Sequence, residues 1–401
     1  MPTGFEVLQA FSTTSDEFKT RFDEVTQENF VEVANGVLNF PVIRNEFCSY
    51  LINKIGRTYV NAMIAKNPLA FLRGEELPFG ATIEDMFVEI AKSTTFDPEG
   101  KQTLDRKVPD VKVLYYVKNV NLTYKTSISD KELKKAFFDA GQMNALLERI
   151  TASLYQGARH DMFVMTKELI ANFDGFTYIP ISAFDDTEET AKANGKAIKG
   201  AVVYAGFDSR DYNASGVMNN IPEGDGILIM RADASISLDF DYLANVFNLS
   251  KADLSARTII VDNFNERDDI LAVYASRAWF QIHYLYEGVE TQRNAEGRFT
   301  NYTLVEEAIY AASKFMPAIA FTTDAVINVT FNANGGTGKM NARTAIANQP
   351  MTLPFNSFTP PTGKTFVGWG TATSTSVGEA MKEISEYTPT AAATLYAIWS
   401  E

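Results

Sequence analysis

Residues 53–90 read NKIGRTYVNAMIAKNPLAFLRGEELPFGATIEDMFVEI, and three parts can be told apart within them. An apolar stretch, TYVNAMIA, comes first. NPLAFLRGEELPFG follows, with Asn67, Pro68, Gly74, Pro78 and Gly80 supplying the chemistry of turns. TIEDMFVEIAK then alternates apolar and polar residues, the period of a strand with one buried face. The pattern predicts a long two-stranded excursion with those five turn residues near its far end. Such a ribbon is marginally stable by itself and needs a surface to lie against; another copy of the chain would supply one.

Working outward, KVLYYVKNVNLTYKTS offers two strands around residues 119–121. The most regular helical signal runs over residues 141–173. There Met143, Leu147, Ile150, Leu154, Ala158, Met162, Met165, Leu169 and Phe173 recur at steps of three or four. At 1.5 Å per residue this helix is about 50 Å long, enough to brace a flat domain. Gly157 near its middle is a candidate bend, and Ser129 or Asp130 is a candidate cap for the short helix DKELKKAFFDA before it. GILIMR, ARTIIVDNF and ILAVYA read as central strands of an α/β region between about residues 176 and 290, with DFDYLANVFNL a short amphipathic helix among them.

Composition shifts near residue 325. After it the chain is rich in Gly, Thr, Asn and Pro, and Lys339, Arg343, Lys364 and Lys382 balance Glu379, Glu383, Glu386 and Glu401. The net charge of −14 therefore belongs to the larger part. That charge argues against a nucleic-acid binder, since affinity for phosphates comes from Lys and Arg, and no basic cluster stands out along the chain. If DNA is nearby, the protein encloses it without sequence-specific binding. No basic start with an apolar run opens the chain and no apolar segment approaches a membrane span, so the protein is expected to stay in the cytoplasm, away from membranes.

Catalytic and metal constellations are not found. Cys48 is the single cysteine, and with only His160 and His283 beside it a zinc site lacks ligands. His283, in WFQIHYLYE, reads as a packed or half-exposed strand histidine; His160 reads as a surface residue of the long helix. NGGTGKM at residues 334–340 fails as a phosphate loop, because Ala333 stands where its first glycine belongs and Met340 where Ser or Thr must be. Asp211, Asn213, Ser215 and Gly216 begin like a calcium loop, but Pro222 occupies the twelfth position, so an Asx-rich turn is the better reading. The adjacent acids Asp185 and Asp186, Glu188 and Glu189, and Asp268 and Asp269 read as solvated faces and helix starts. No catalytic, cofactor or metal residue is assigned.

The opening stretch, with Asn53-Lys54-Ile55-Gly56, Asn67-Pro68-Leu69, Gly74, Pro78-Phe79-Gly80 and Thr82-Ile83-Glu84, resembles the major capsid proteins of phi-29-type podoviruses. The resemblance resumes, in the same order, at VPDVKVLYY (108–116), at LDFDYLANVFNLSKADL and TIIVDNF (238–264), and at ETQRNAEGRFTNY (290–302). It implies an α+β protein of the Hong Kong 97-type capsid fold, built on residues 1–325. The parts would be an amino-terminal arm (about 1–52), an E-loop (about 53–107), a P-domain crossed by a spine helix (about 108–175 and 290–325) and an A-domain (about 176–289). It also implies a non-enzymatic shell protein that closes with copies of itself, in pentamers and hexamers, into an icosahedral head around double-stranded DNA. Scaffolding and portal proteins are the partners it suggests, and the virion capsid, preceded by the host cytoplasm during assembly, is the implied location. Arg73, Glu75 and Glu76, charged residues of an exposed loop, are the candidate inter-subunit contacts.

Residues 326–401 depart from that family. Asn334-Gly335-Gly336, Leu353-Pro354, Gly363-Lys364-Thr365-Phe366-Val367-Gly368-Trp369 and the closing Leu395-Tyr396-Ala397-Ile398-Trp399 resemble a Listeria–Bacteroides repeat, the internalin B-repeat module of bacterial surface proteins. Phe366, Trp369, Tyr396 and Trp399 are the expected core of this small β-rich domain. On the shell it would face outward, reinforcing contacts or touching the host surface. Two rival classes are weighed. A bacterial adhesin is opposed by the absence of a secretion signal and of a Leu-Pro-x-Thr-Gly anchor. A cytoplasmic α/β enzyme needs a cleft of convergent polar groups that the sequence does not locate.

Overall fold

The computed structural model describes residues 4–47, 50, 67–91, 93, 109–138, 142–183, 187–237 and 258–400. TYVNAMIA, DFDYLANVFNL, Cys48 and the pair Asp185 and Asp186 lie outside the described residues. The chain divides into two compact units: residues 1–81, 118–164 and 283–309 form the first, and residues 82–117, 165–282 and 310–401 the second.

In the first unit, helices α1 (Gly4–Thr14), α2 (Asp16–Arg21) and α3 (Phe30–Asn39) present Val7, Leu8, Phe11, Phe18, Val33 and Val37 to one core. Ser15 caps α2 by accepting from the Phe18 amide. The other wall of that core comes from helix α4 (Asp130–Phe138), through Leu133, and from helix α5 (Gln142–Ala171), through Leu146, Ile150, Leu154 and Ala158. Of the two candidate caps for α4, Ser129 takes the role. Its hydroxyl accepts from the Glu132 amide at 3.2 Å while Glu132 accepts from the Ser129 amide at 3.0 Å, a reciprocal box.

Helix α5 agrees closely with the expected long helix. Its fully buried positions continue as Met162, Thr166 and Ile170, each four residues on, rather than Met165 and Leu169. A strict step of four advances about 40° beyond each 3.6-residue turn, so the buried stripe winds around the helix instead of running straight. Gly157 admits a ring: a Cβ there would sit 3.2 Å from Cδ1 of Tyr124.

Strand β1 (Ile83–Val88) pairs antiparallel with β2 (Val111–Tyr116), Ile83 opposite Tyr116 and Val88 opposite Val111. Asn67, Pro68, Gly74, Pro78 and Gly80 precede this ribbon in the chain, and the strand expected before them, TYVNAMIA, lies outside the described residues. The alternation in TIEDMFV identified a strand but not its partner. β3 (Val120–Ser129) does not pair with β2, its neighbour in sequence.

β3 instead forms a three-stranded sheet in the order β3, β9, β8. Here β8 is Phe280–Asn294 and β9 Phe299–Ala312, and Val120 stands opposite Ala308 and Ser129 opposite Phe299. In the second unit β4 (Thr177–Pro180), β5 (Gly226–Arg231), β6 (Thr258–Val261), β7 (Ile270–Ser276) and β10 (Ala318–Thr322) make a mixed five-stranded sheet in the order β4, β10, β7, β5, β6. GILIMR and ILAVYA are central, as their unbroken apolar runs predict. The strand in ARTIIVDNF is an edge, with Ile260 exposed. Helices α6 (Glu188–Ala205) and α7 (Ala232–Ser237) pack Ile198, Ala201 and Ala234 against this sheet.

The last stretch forms a four-stranded sheet in the order β12, β11, β16, β14 and a two-stranded one. The strands are β11 (Val326–Asn332), β12 (Arg343–Ile346), β13 (Met351–Thr352), β14 (Phe366–Gly370), β15 (Glu386–Tyr387) and β16 (Ala393–Trp399). Its core holds Val329, Leu353, Phe358, Trp369, Leu395, Ala397 and Trp399, with Phe366 packed at the margin. Tyr396 falls outside that core, because side chains alternate along β16 and Leu395 and Ala397 take the inner face. Gly336 is demanded by a close approach: a Cβ there would lie 2.7 Å from both the Thr359 carbonyl oxygen and the Trp399 ring.

Candidate assembly surfaces

The ribbon β1–β2 has two unlike faces. On one, Asp85 accepts from the Ser313 hydroxyl at 2.7 Å and the Tyr116 hydroxyl at 3.2 Å, Phe87 stacks on Phe315, and Glu89 pairs with Arg210. Burial, and then the charge of Asp85, raise the Tyr116 phenol far above its ordinary range, so that hydroxyl stays protonated as a donor. The other face is bare. Met86, Val88 and Ile90 on one strand and Val111, Tyr115 and Val117 on the other are all between 46% and 64% exposed, an apolar ladder of the kind that soluble monomers rarely display.

Residues 67–81 carry the three candidate contact residues. Asn67 starts a turn by accepting from the Leu69 amide at 2.9 Å, and the Leu77 amide donates to the Tyr284 carbonyl on β8 at 2.9 Å. Arg73 is half-buried. It bridges Glu76 at 3.0 Å and Glu287 at 2.6 Å, with its guanidinium 3.8 Å from the Tyr284 ring centre. Burial works against its charge, but Glu287 outweighs this and holds the group above its ordinary pKa. Glu75 and Glu76 are exposed; the Glu75 carbonyl accepts from Nδ1 of His283 at 2.9 Å. His283 is thus a half-buried packing residue, and its ring requires Gly74, where a Cβ would lie 2.5 Å from Cε1. His160 is exposed on α5.

Beside this lies a group the sequence did not mark. Glu306 on β9 is only 3% exposed, and its carboxyl is pushed up to about 7 by burial and then by Glu287, against the opposing charge of Arg73. Its strand alternates regularly, so a glutamate on the inner face gave no local signal. Among the described residues no His, Cys, Asp and Glu group is arranged to hold a metal ion.

The C-terminal module is fastened to the five-stranded sheet of its own unit. Thr344 on β12 accepts from the Tyr178 amide on edge strand β4 at 2.8 Å, and the Thr352 amide donates to the Asp174 carbonyl at 2.7 Å. The Phe355 amide donates to the Ser215 carbonyl at 2.8 Å. Arg343, buried, donates to the Arg210 and Asp211 carbonyls at 3.3 Å each. Its burial pulls its pKa down to about 10, against the opposing pull of Asp211. The calcium-like segment is the Asx-rich turn expected: Asn213 accepts from the Val217 amide and the Ser215 hydroxyl, and Asp211 accepts from Asn341 at 2.9 Å. Lys339 follows the turn that ends β11 and leads into β12, without the helix a phosphate loop requires.

Comparison with known proteins places this architecture. The family model described as Phi29-like phage major capsid protein matches residues 8–322, and that of the Listeria-Bacteroides repeat domain matches residues 328–398. The major capsid protein of Bacillus phage GA-1 is 32% identical over 323 residues, which span 77% of this chain and 68% of that protein. That of Bacillus phage B103 is 30% identical over 330 residues, 80% of this chain and 73% of the relative. Among solved structures, the capsid structure of Staphylococcus phage Andhra superposes with a TM-score of 0.51 at 12% identity, covering 65% of this chain and 84% of that one.

Proposed function

The chain belongs to the Phi29-like phage major capsid protein family, and from that premise we propose that its copies assemble by themselves into a closed icosahedral shell enclosing double-stranded DNA. It is a major capsid protein of a phage head, a component of the virion capsid with the Hong Kong 97-type fold and a C-terminal Listeria-Bacteroides repeat. No described helix is long and apolar enough to cross a membrane.

The observation that carries the assembly reading is the bare apolar face of β1–β2. A ribbon anchored on one side and apolar on the other gains by covering that side, and in a lattice the cover is a neighbouring copy. Each such contact is weak alone, but neighbours already held by one contact meet the next at high effective concentration. Arg73, Glu75 and Glu76 contribute a second contact surface, on the first unit. Arg73 sets the loop through Glu287, and the exposed Glu75 and Glu76 face outward to a partner. The protein performs no catalysis, assembles in the host cytoplasm into pentamers and hexamers, and meets scaffolding and portal proteins there. Electron microscopy of the purified protein, alone and with a scaffolding protein, tests this: shells, tubes or rings of five and six are expected, and a persistent monomer would reject it.

The fastening of the C-terminal module favours reinforcement over adhesion as its role. A module held through buried Arg343 and backbone hydrogen bonds stiffens the sheet beneath it and covers the edge strand β4. A chain truncated after residue 325 is expected to yield shells that rupture at lower temperature while phage adsorption is unchanged; lost adsorption with unaltered shell stability would reverse the assignment.

A further inference from the structure

The first unit holds a cleft of about 570 Å³ whose charge is opposite to that of the chain. Arg44, Lys131, Lys134, Arg293 and Arg298 line it, and among the described residues Asp130 is its one acidic lining residue. These five cations come from three places in sequence: the segment after α3, the first turns of α4, and the end of β8 with the turn that follows it. Asp130 is committed to Arg293 at 2.9 Å, and its amide donates to the Arg298 carbonyl at 2.9 Å, which ties the turn to the start of the helix. The nearby Glu132 is turned back on Ser129 as half of the capping box. The buried Nε of Arg293 has no hydrogen-bond partner among the described residues, while Lys131, Lys134 and Arg298 are exposed. Leu38 and Leu133 give the cleft an apolar floor.

We infer that this cleft receives an acidic segment of a second copy of the chain, an inference that rests on the assembly reading above. Each copy carries 50 acidic residues against 36 basic ones, so neighbouring copies repel on average, and a cleft of inverted sign is where approach becomes favourable and oriented. Carboxylates on a peptide loop can enter a concave site with a leucine floor. A DNA duplex would need a stripe of cations matched to its phosphate spacing, borne by a surface less acidic than this one.

The test uses the full-length protein. Shells made from mixed light and nitrogen-15-labelled chains are treated with a carbodiimide, which joins a lysine amine to a carboxylate within contact distance. Amide links from Lys131 or Lys134 to an Asp or Glu of the other isotope are expected, and their sequence names the docked segment. Links within one chain only would overturn the inference. In parallel, the K131E/K134E/R298E variant is compared with K131R/K134R/R298K. The reversed variant should remain a folded monomer by circular dichroism and gel filtration but yield roughly tenfold fewer shells, while the conservative one assembles normally. Full shell yield from the reversed variant overturns the cleft and leaves the capsid reading intact. If that variant assembles but loses retention of a labelled DNA duplex seen with the parent, the occupant is nucleic acid and the inference is wrong. If the unaltered protein forms no shells, the assembly reading itself falls.

Discussion

The ribbon β1–β2 and the C-terminal sheets are both short-stranded β structure, yet they end in opposite states. The C-terminal module closes on itself: Trp369, Leu395 and Ala397 are fully buried, and the Trp369 indole donates to the Pro354 carbonyl at 3.0 Å. The ribbon has only two strands and buries one face, leaving Met86, Val88 and Tyr115 in solvent. Strand number explains the contrast. Four strands with aromatic residues on one face can enclose a core, whereas two strands have an inside only where something else provides it. A closed module is an independent source of stability, and an open ribbon is a site of association.

That contrast can be broken or sharpened by substitution, and the largest effect is expected inside the closed module. Trp369→Ala removes a fully buried indole and its hydrogen bond, and chemical denaturation should register a loss of about 3 to 5 kcal/mol. Next comes a sheet that is closed over a carboxyl group. Burial raises the Glu306 carboxyl to about 7 from an ordinary value of 4.5. Between these values the folded protein keeps a proton that the unfolded chain releases, so this group's contribution to stability falls as pH rises through the interval and levels off above it. Glu306→Gln should therefore gain on the parent by about 2 to 3 kcal/mol more at pH 8 than at pH 5, read from paired denaturation curves.

Arg343→Ala removes the donor to the Arg210 carbonyl and one of the two donors to the Asp211 carbonyl, which keeps the Thr177 hydroxyl, and chemical denaturation should register a cost of about 1 to 3 kcal/mol. The smallest effect on the monomer is expected from the ribbon. Met86→Thr with Val88→Thr, on the bare face, should move monomer stability by less than about 0.5 kcal/mol. The same pair should reduce shell yield, as counted by electron microscopy. A large loss of monomer stability from that pair would mean that the face is already covered within the chain, and the contrast would fail.

The sequence was most legible where one element's chemistry is local. The period of α5, a cap at Ser129 or Asp130, the alternation in TIEDMFV and the Asn334-Gly335 turn of the C-terminal module all follow from residues within four positions of one another. The family blocks likewise identified the capsid fold, because order and spacing along a chain are sequence properties. The helices of residues 4–47 offered no comparable pattern, since their stripes are short and their core is completed by α4 and α5. In residues 67–80 turn chemistry marks where the chain bends, but not which strands the bend joins.

By itself, then, the sequence determined the fold class, the long helix, two of the three strands expected to be central, the absence of a recognisable catalytic motif and the two-family organisation, all of which rest on local periodicity or linear order. Tertiary structure alone decided that β1 pairs with β2, that Arg73 is held by Glu287, that Glu306 is buried, and that Thr344 ties the module to β4 while Arg343 ties it to the carbonyls of Arg210 and Asp211. It also decided that basic residues as far apart as Arg44 and Arg298 line one cleft of an acidic chain. Backbone geometry writes a period of two or of 3.6 into any short stretch, but it writes nothing about which distant stretches meet. Charge and burial at these sites arise from those meetings.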